Sequence, residues 1–413
     1  MSRSLNARAC PPLDGIVSML RMPEGSDQAT MVQGRIAALD RARTFITLLV
    51  VLHHAVLNFT YFGNGDSQRW LGFDLVVLFN DSFFMAFMFF ISGLFVWDGL
   101  TQKGWAIFLR DRAWRLGIPF LVSVFVLMPI AYYPTFLRYH LPGTTDFNFL
   151  HFWRNIFIVG PWPSGPAWFL WVLLAFDMVA AVVWCIAPGI IKALSQILYR
   201  ARNRPVMLFA VFLAITIAAY EPMRLTFGDA SWWEIGALPL PIQTSRILLY
   251  AAYFFAGVIV GATSLKVGLL AENGQLAKRW PLWLAVAVVF YGAILSLVYV
   301  HHNWVPHFNA PPEWWKVSYS LAFATFSGAM AFTVPAIHLS FAKAKWRFLD
   351  ALRPSAYGIY LVHYILIIWL QYAVYDLPLH AGGKFAIVFI GTLSISWAVT
   401  IILRKIPVIA RMI

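Results

Sequence analysis

Ten long stretches of apolar residues divide this chain of 413 residues and restrict what it can fold into. Each is close to the roughly 20 residues with which an α-helix crosses about 30 Å of hydrocarbon. They cover approximately residues 44–60, 70–97, 116–137, 166–188, 206–221, 244–264, 281–300, 317–340, 355–375 and 385–403. Because lipid offers no hydrogen-bond partner to the backbone, such segments form helices. The pattern therefore predicts an all-α polytopic membrane protein of about ten transmembrane helices.

The composition supports this class and excludes others. Hydrophobic residues make up 61% of the chain and charged residues 12%, whereas a soluble domain is roughly 45–50% apolar and about 25% charged. So few charges could not cover a soluble protein of this length, which excludes a cytosolic enzyme, a disordered protein and a secreted disulfide scaffold. The two cysteines, Cys10 and Cys185, supply neither a disulfide framework nor a set of metal ligands.

The distribution of lysine and arginine indicates the orientation of the predicted helices. If the amino terminus and every second connection share one side, that side holds 24 of the 31 basic residues. The positive-inside rule puts this side, and therefore both termini, in the cytoplasm. The net charge of +13 is then a topology signal that also attracts anionic lipid headgroups. The predicted partner is the lipid bilayer and not nucleic acid.

The amino-terminal segment differs from the rest of the chain. Residues 1–34 are polar and contain no apolar stretch of the kind that a cleavable signal peptide requires. We expect residues 1–34 to form a disordered cytoplasmic tail. Residues 35–413 are expected to form one integral membrane domain of ten helices.

Two histidines lie within the first predicted helix, where ionisable side chains are costly and are functional candidates by default. His54 follows Arg43 by eleven residues, which returns to within about 20° of the same helix face. Arg43 is then at the cytoplasmic rim and His54 near the middle of the membrane. His53 points about 100° away, so we expect only one histidine to face the centre of a cavity. The alternative is a histidine that only forms a hydrogen bond to a neighbouring helix.

The second predicted helix carries Asp81 and Ser92, which are again eleven residues apart and hence on one face. That face could line a polar cavity, or Asp81 could satisfy a neighbouring helix. Ser92 and Gly93 are equally typical of a close helix contact, because small residues let helices approach. Asp177, in the fourth helix, could pair with a neighbour.

Two arginines follow the second helix at the cytoplasmic surface. Arg112 and Arg115 lie one helical turn apart. Paired guanidinium groups suit a phosphate ligand better than lysines do. The same pair could be an ordinary positive-inside anchor.

The other histidines of interest lie in the ninth helix and in an external connection. Tyr360 and His363 are neighbours at i,i+3, and they could border a cavity or anchor the helix at the interface. The external histidines lack a carboxylate at the spacing of a metal site, so no metal site is predicted there. They are His301, His302 and His307.

Five short motifs occur in order along the chain. They are Leu39–Arg43 followed after ten residues by His54, then Phe89–Gly93, Arg112–Arg115 with Ile118–Phe120, Gly165–Leu170 and Tyr357–His363. In this order they resemble the motifs of the acyltransferase-3 family of bacterial membrane O-acyltransferases. The resemblance extends from Arg35 to the tenth helix. Within the family the chain looks most like the branch that contains the glucan-modifying protein C, which succinylates periplasmic glucans.

The resemblance implies roles for the residues in these motifs. The family's catalytic histidine corresponds to His54 and its essential arginine to Arg43, and Asp81 is the candidate for the acidic partner. The family associates the motif that holds Arg112 and Arg115 with acyl-CoA. The residues expected to line the substrate cavity are Ser92, Tyr360 and His363.

The function that the resemblance implies is transfer of an acetyl or succinyl group across the bacterial inner membrane. The donor is cytoplasmic acyl-CoA, and the acceptor is a hydroxyl of an extracytoplasmic glycan or another molecule. Acyl-CoA is a co-substrate, and no permanently bound cofactor or metal is expected. Histidine suits a proton-transfer role because its unperturbed pKa is about 6.5, and His53, beside the motif histidine, is the alternative to His54.

A multi-pass transporter or flippase without acyl chemistry is the competing class, and a membrane sensor is a third. Ten helices with buried charges fit a transporter as well. However, the chain has no repeated half and no paired Gly- or Pro-interrupted helices of the inverted-repeat type. It also lacks the motifs G-x-x-x-x-G-K-[ST], H-E-x-x-H and G-x-S-x-G. Serine or zinc hydrolysis and ATP-driven transport by this chain alone are therefore unsupported.

Overall fold

Most of the chain is helical in a computed structural model of the protein. The structure describes residues 26–63, 65–139, 148–158, 162–229, 231–234, 241–263, 265, 267–304 and 311–413. The first helix begins at Ser26, within the segment 1–34 that the sequence predicts as a disordered tail. Residues 1–25 of that segment, and His307 of the external connection, lie outside the described residues.

Eighteen α-helices follow one another along the described residues. The first nine are α1 (Ser26–Leu57), α2 (Leu71–Asp81), α3 (Phe84–Gly93), α4 (Val96–Arg112), α5 (Ile118–Val122), α6 (Met128–Tyr139), α7 (Phe149–Ile158), α8 (Trp168–Ile186) and α9 (Pro188–Ala201). The other nine are α10 (Pro205–Phe227), α11 (Ile247–Ala262), α12 (Gln275–Lys278), α13 (Trp280–Trp304), α14 (Glu313–Ser340), α15 (Arg347–Leu352), α16 (Ala356–Val374), α17 (Ala381–Leu403) and α18 (Pro407–Ala410).

Nine helical segments within the described residues are long and apolar enough to cross a membrane. They are Leu71–Gly93, Val96–Tyr139, Gly165–Ile186, Pro205–Phe227, Thr244–Ala262, Trp280–Trp304, Glu313–Ser340, Arg347–Val374 and Ala381–Leu403. These nine coincide with the second to tenth segments of the sequence prediction. The prediction of an all-α polytopic membrane protein is confirmed.

The first predicted segment is the apolar second half of α1. It follows a charged stretch that contains Arg41 and Arg43. Arg41 is buried and donates hydrogen bonds to both carboxylate oxygens of Asp350, at 2.6 and 2.9 Å. Beyond this anchor, α1 packs against α2, α3, α14, α16 and α17. The last turn of α1 is therefore enclosed by other helices.

The two ends of the bundle differ in charge. One end carries the connections that contain Lys103–Arg115, Lys192–Arg204, Lys278–Arg279 and Lys343–Arg353, and we call it the basic end. The other end, called the opposite end, carries a short antiparallel hairpin of β1 (Trp232–Glu234) and β2 (Pro241–Gln243). The sequence predicts that the basic end faces the cytoplasm.

Helices α3 and α11 approach each other closely because glycines face each other between them. A side-chain carbon on Gly93 would lie 2.2 Å from the carbonyl oxygen of Phe254, and one on Gly257 would lie 2.1 Å from that of Phe90. Small residues permit such backbone contact between membrane helices. The contact fixes α11, and the arginine that precedes it, against the helix pair α2–α3.

Candidate functional site

A cavity of about 170 Å³ lies beside the end of α1, and we call it the histidine cavity. Helices α1, α2, α3, α11 and α16 contribute to its wall together with the hairpin and the start of α8. The lining residues are Val50, His53, His54, Asp81, Phe84, Met85, Pro166, Trp168, Trp232, Gln243, Tyr250 and Tyr360. Three predicted site residues, His54, Asp81 and Tyr360, therefore meet at one site.

The imidazole of His54 is held in one orientation by its own helix. Its Nδ1 lies 2.8 Å from the carbonyl oxygen of Val50, and because a carbonyl only accepts, Nδ1 carries the proton of the neutral ring. Nε2 then presents a lone pair, with no hydrogen-bond partner among the described residues. The side-chain amide of Gln371 donates to the His54 carbonyl at 3.1 Å and so holds the backbone of this turn. In this arrangement the neutral ring can accept a proton at Nε2.

His53 lines the same cavity as His54, although the 100° separation predicted that only one histidine would face the centre of a cavity. The cavity extends around two adjacent sides of α1, so both rings reach it, with centroids 5.2 Å apart. The His53 ring lies 5.1 Å from that of Phe84, and its buried Nδ1 has no hydrogen-bond partner within the described part of the chain. His53 therefore lacks the backbone bond that orients His54.

Asp81 forms a two-point ion pair with Arg246, a residue that the sequence analysis did not single out. Arg246 Nη1 and Nη2 donate to the two carboxylate oxygens at 3.0 and 2.6 Å. The Arg246 side chain is 6% exposed and that of Asp81 is 42% exposed, so the carboxylate is the accessible partner. No hydrogen bond joins Asp81 to His54 among the described residues, and the acid contacts Arg246 instead.

A break in the second membrane segment creates this pair. Helix α2 ends at Asp81 and α3 begins at Phe84, so the main-chain carbonyl of Asp81 is available and accepts a third hydrogen bond from Arg246 at 3.0 Å. A sequence signal for Arg246 does exist. It is one of few basic residues predicted outside the cytoplasm, and a lone arginine beside an apolar segment requires a partner.

Tyr360 and His363 lie on the wall that separates the histidine cavity from a smaller space of about 10 Å³. The Tyr360 hydroxyl donates to the carbonyl oxygen of Pro166 at 2.5 Å, and both residues line both spaces. His363 lines only the smaller one of the two. Its Nδ1 lies 2.6 Å from the Tyr360 carbonyl, and its buried Nε2 has no partner in the described residues. We call this second space the His363 pocket.

Ser92 lines neither the histidine cavity nor the His363 pocket. Its predicted position on the face of Asp81 assumed one continuous helix, and the break between α2 and α3 changes the rotational phase. The other reading, a close helix contact at Ser92 and Gly93, agrees with the approach of Gly93 to Phe254.

The three predicted arginines form one charged cluster at the basic end. This cluster lies some distance from His54. The charges of Arg112 and Arg115 act on the Arg43 guanidinium, which lies 5.5 Å from the ring centroid of Phe95. Eleven residues of helix separate Arg43 from His54, or about 16 Å. None of the three lines the histidine cavity or the His363 pocket.

Two of the cluster arginines contact neighbouring helices, Arg112 through its side chain and Arg115 through its backbone. Arg112 Nε lies 3.2 Å from the fully buried carboxylate of Asp177, so Asp177 does pair with a neighbour. The carbonyl of Arg115 accepts a hydrogen bond from the hydroxyl of Tyr357. Arg115 belongs to a π-helical segment, Ala113–Gly117, an irregularity that is frequent at functional sites.

A row of rings on α16 connects the arginine cluster to His54. The rings of Tyr357 and Tyr360 are nearly parallel with centroids 6.4 Å apart, and the next centroid distance, from Tyr360 to His363, is 5.8 Å. The ring of His363 lies 5.3 Å from that of His54. Packed side chains of one helix therefore lie between the basic end and His54.

A comparison with protein families matches nearly the whole chain. The acyltransferase-3 family model, described as an acyltransferase domain, matches residues 36–401. No curated protein matches the chain. The matched range contains every residue that the sequence analysis assigned to the site.

Proposed function

The chain belongs to the acyltransferase-3 family, and we propose that it transfers an acyl group from acyl-CoA at the basic end to a hydroxyl group in the histidine cavity. His54 is the general base. The observation that carries this proposal is the hydrogen bond from His54 Nδ1 to Val50. It leaves Nε2 as a proton acceptor on a residue that lines the cavity.

The chemistry requires a base and correct orientation, because a thioester is already activated. Nε2 of His54 removes the hydroxyl proton while the acceptor oxygen attacks the thioester carbonyl. The new carbon–oxygen bond forms, the carbon–sulfur bond breaks, and the imidazolium returns the proton to the departing CoA thiolate. A positioned base contributes about 10²–10⁴-fold, and orientation of the two reactants contributes further.

The donor's phosphate groups are assigned to the arginine cluster. Arg43, Arg112 and Arg115 together present planar guanidinium groups, which bind phosphate at two points. From there the thioester would pass along Tyr357 and Tyr360 on α16. Passage into the histidine cavity requires release of the hydrogen bond from Tyr360 to Pro166.

The acceptor is assigned to the side of the histidine cavity at the opposite end. Trp168, Trp232 and Tyr250 give that side an aromatic surface, with the Trp168 and Trp232 centroids 5.9 Å apart, and Gln243 adds an amide. An apolar pocket with a few polar groups is the usual form of a site for a small molecule, and a sugar ring has both kinds of surface. We therefore propose a glycan hydroxyl as the acceptor. An acetyl or succinyl group as the transferred group is what the family resemblance implies.

Asp81 is proposed to orient the acceptor. Its carboxylate is oriented by Arg246 and remains 42% exposed, so it can accept a hydrogen bond from a second hydroxyl of the same sugar. With the donor in the cytoplasm and the acceptor outside, the protein would act in the bacterial inner membrane.

The test uses the purified full-length protein in lipid nanodiscs. It receives acetyl-CoA or succinyl-CoA together with a bacterial glucan, and mass spectrometry measures the mass of the glucan. An added acyl mass that disappears in His54→Gln supports the proposal. Movement of the glucan across a vesicle membrane with no change in its mass would instead support a transporter. Glycans from cells with and without the gene identify the natural acceptor and acyl group.

A further inference from the structure

A second cavity, of about 210 Å³, lies on the outside of the bundle near the basic end. Its lining residues are all apolar and come mainly from α9, α10, α11 and α14. Four of them are exposed on the surface of the protein: Leu194, Ile197, Val211 and Ile215. The cavity therefore opens toward the apolar exterior between α9 and α10. We call it the lateral cavity.

The size and chemistry of the lateral cavity fit a hydrocarbon chain. It is larger than an engineered protein cavity of about 150 Å³ that binds benzene. Side chains such as Leu208, Phe212 and Phe332 form its wall, and they offer no group that would hold a polar ligand. Because α10 is largely exposed, the bilayer around the protein is the source of such a chain.

Basic residues stand at two edges of the same cavity. Arg202 and Arg204 form the turn between α9 and α10, immediately between the lining residues Leu198 and Leu208. No ion pair involves either arginine among the described residues. Arg202 Nη1 donates to the Tyr199 carbonyl at 2.9 Å, with its guanidinium 4.0 Å from the centroid of the Tyr199 ring, and Arg204 is exposed. At another edge, Lys278 and Arg279 are exposed and follow the lining residue Leu276. The same connection also contains the acidic residue Glu272.

Helix α9 has the character of a helix that lies in the membrane surface. Its apolar residues, including Ile191, Leu194 and Leu198, occupy one side, and Lys192 and Arg200 are exposed on the other. Such a helix lies at the level of the lipid headgroups. The arginine turn that follows it is then at headgroup depth, while the lateral cavity is at the depth of the acyl chains.

We propose that the lateral cavity binds one acyl chain of an anionic phospholipid, whose phosphate is held by Arg202 and Arg204. Basic residues beside a cavity between membrane helices form the arrangement that binds anionic headgroups. The wall of the cavity includes Phe90 of α3, whose carbonyl lies against Gly257 of α11. The bound lipid would therefore stabilise the contact between α3 and α11, which positions Arg246 beside Asp81.

The experiment compares phosphatidylglycerol with phosphatidylcholine of identical acyl chains. Full-length protein is stripped of lipid in detergent, lipid is added back, and native mass spectrometry and the thermal unfolding temperature are recorded. We expect a one-to-one adduct and a higher unfolding temperature with phosphatidylglycerol. The double variant Arg202→Gln/Arg204→Gln should weaken that adduct by about 30-fold. The matched charge control is Lys343→Gln/Lys345→Gln at another basic turn, which should bind as the unchanged protein does.

A second variant tests the acyl chain separately. Leu208→Trp fills the cavity and should abolish the adduct, whereas Val288→Trp, on an exposed position of α13, should not. Equal binding of the two lipids, or an adduct that survives in Leu208→Trp, would overturn the proposal. These readouts do not depend on acyl transfer, so they stand apart from the proposed enzymatic function.

Discussion

The imidazoles of His54 and His363 pack edge to face, with ring centroids 5.3 Å apart and the ring planes at 63°. Both rings contact a backbone carbonyl of their own helix through Nδ1, at 2.8 and 2.6 Å. In the neutral state both therefore present Nε2 as an acceptor. The two rings line different spaces. His54 lines the histidine cavity, and His363 lines the His363 pocket on the other side of Tyr360. Of these two histidines, only His54 shares a cavity with the aromatic surface assigned to the acceptor.

Replacement of His54 by alanine is expected to lower kcat for acyl transfer by about 10²–10⁴-fold, because the positioned base is lost. Membrane expression should be unchanged. His53→Ala should be milder, since its ring lacks the backbone bond that orients His54. Transfer of radiolabelled acetyl from acetyl-CoA to glucan measures each rate.

The matched control for the base is His338→Ala. His338 is buried in α14 and has the same Nδ1 contact with a carbonyl four residues earlier, 2.8 Å from Val334. It lines neither the histidine cavity nor the His363 pocket. We expect this variant to retain transfer. A greater loss in His53→Ala than in His54→Ala would move the base to His53.

Replacement of Arg43 by alanine is expected to abolish acyl transfer with normal membrane expression, because one guanidinium of the proposed phosphate site is lost. Arg112→Lys keeps the charge beside buried Asp177 but loses the planar fork. It should raise KM for acyl-CoA by about tenfold or more, since a hydrogen bond to a charged group is worth roughly 1.5–3 kcal/mol. Steady-state kinetics over a range of acyl-CoA concentrations measure both effects.

Arg110→Ala is the control for the arginine cluster. Its side chain is 68% exposed and lies near Asp111, 3.6 Å away, so its removal should leave KM unchanged. If Arg110→Ala and Arg112→Lys raised KM equally, the effect would be general surface charge and not a phosphate site.

Replacement of Tyr360 by phenylalanine keeps the ring but removes the hydrogen bond to Pro166 that closes the wall between the two spaces. A neutral hydrogen bond contributes about 0.5–1.5 kcal/mol, so the closed state should become several-fold less populated. We expect faster hydrolysis of acyl-CoA in the absence of acceptor, measured as free thiol. Tyr291→Phe loses a similar bond, 2.6 Å to the Leu75 carbonyl. Neither residue lines either space, so this variant should not raise hydrolysis.

Helical periodicity predicted the site only where the helix is continuous. Arg43 and His54 are eleven residues apart on α1, which is one unbroken helix from Ser26 to Leu57, so the calculation of a shared face applies to them. Asp81 and Ser92 have the same spacing, but α2 ends at Asp81, so the same calculation failed for Ser92. A break of two residues carries no strong sequence signal when both flanks are apolar.

Contacts between distant segments could not be read from the sequence. The pair of Asp81 with Arg246 joins residues 165 positions apart, and the bond from Tyr360 to Pro166 spans 194. Periodicity along one helix predicts which residues share a face. It does not predict which other helix packs against that face. Charge requirements give a partial guide, since a buried arginine needs a carboxylate, yet several acids were available.

Replacement of Arg246 by lysine tests whether the orientation of Asp81 matters for the reaction. A lysine provides one point charge and cannot contact both carboxylate oxygens and the main-chain carbonyl of Asp81 at once. Because the Asp81 carboxylate keeps 42% of its surface exposed and borders the histidine cavity, we expect a loss of stability of about 1–2 kcal/mol. We expect kcat/KM to fall by roughly tenfold or more, because the carboxylate assigned to the acceptor is no longer fixed.

Arg224→Lys separates this effect from a loss of stability. Arg224 donates to both oxygens of Asp229 at 2.7 and 2.6 Å, and the two side chains are 5% and 46% exposed, which matches the pair of Arg246 with Asp81. Neither residue lines the histidine cavity. Thermal unfolding should therefore shift equally in both variants, while kcat/KM falls only in Arg246→Lys. An equal fall in kcat/KM would mean that both arginines act through stability alone, and Asp81 would then have no role in orienting the acceptor.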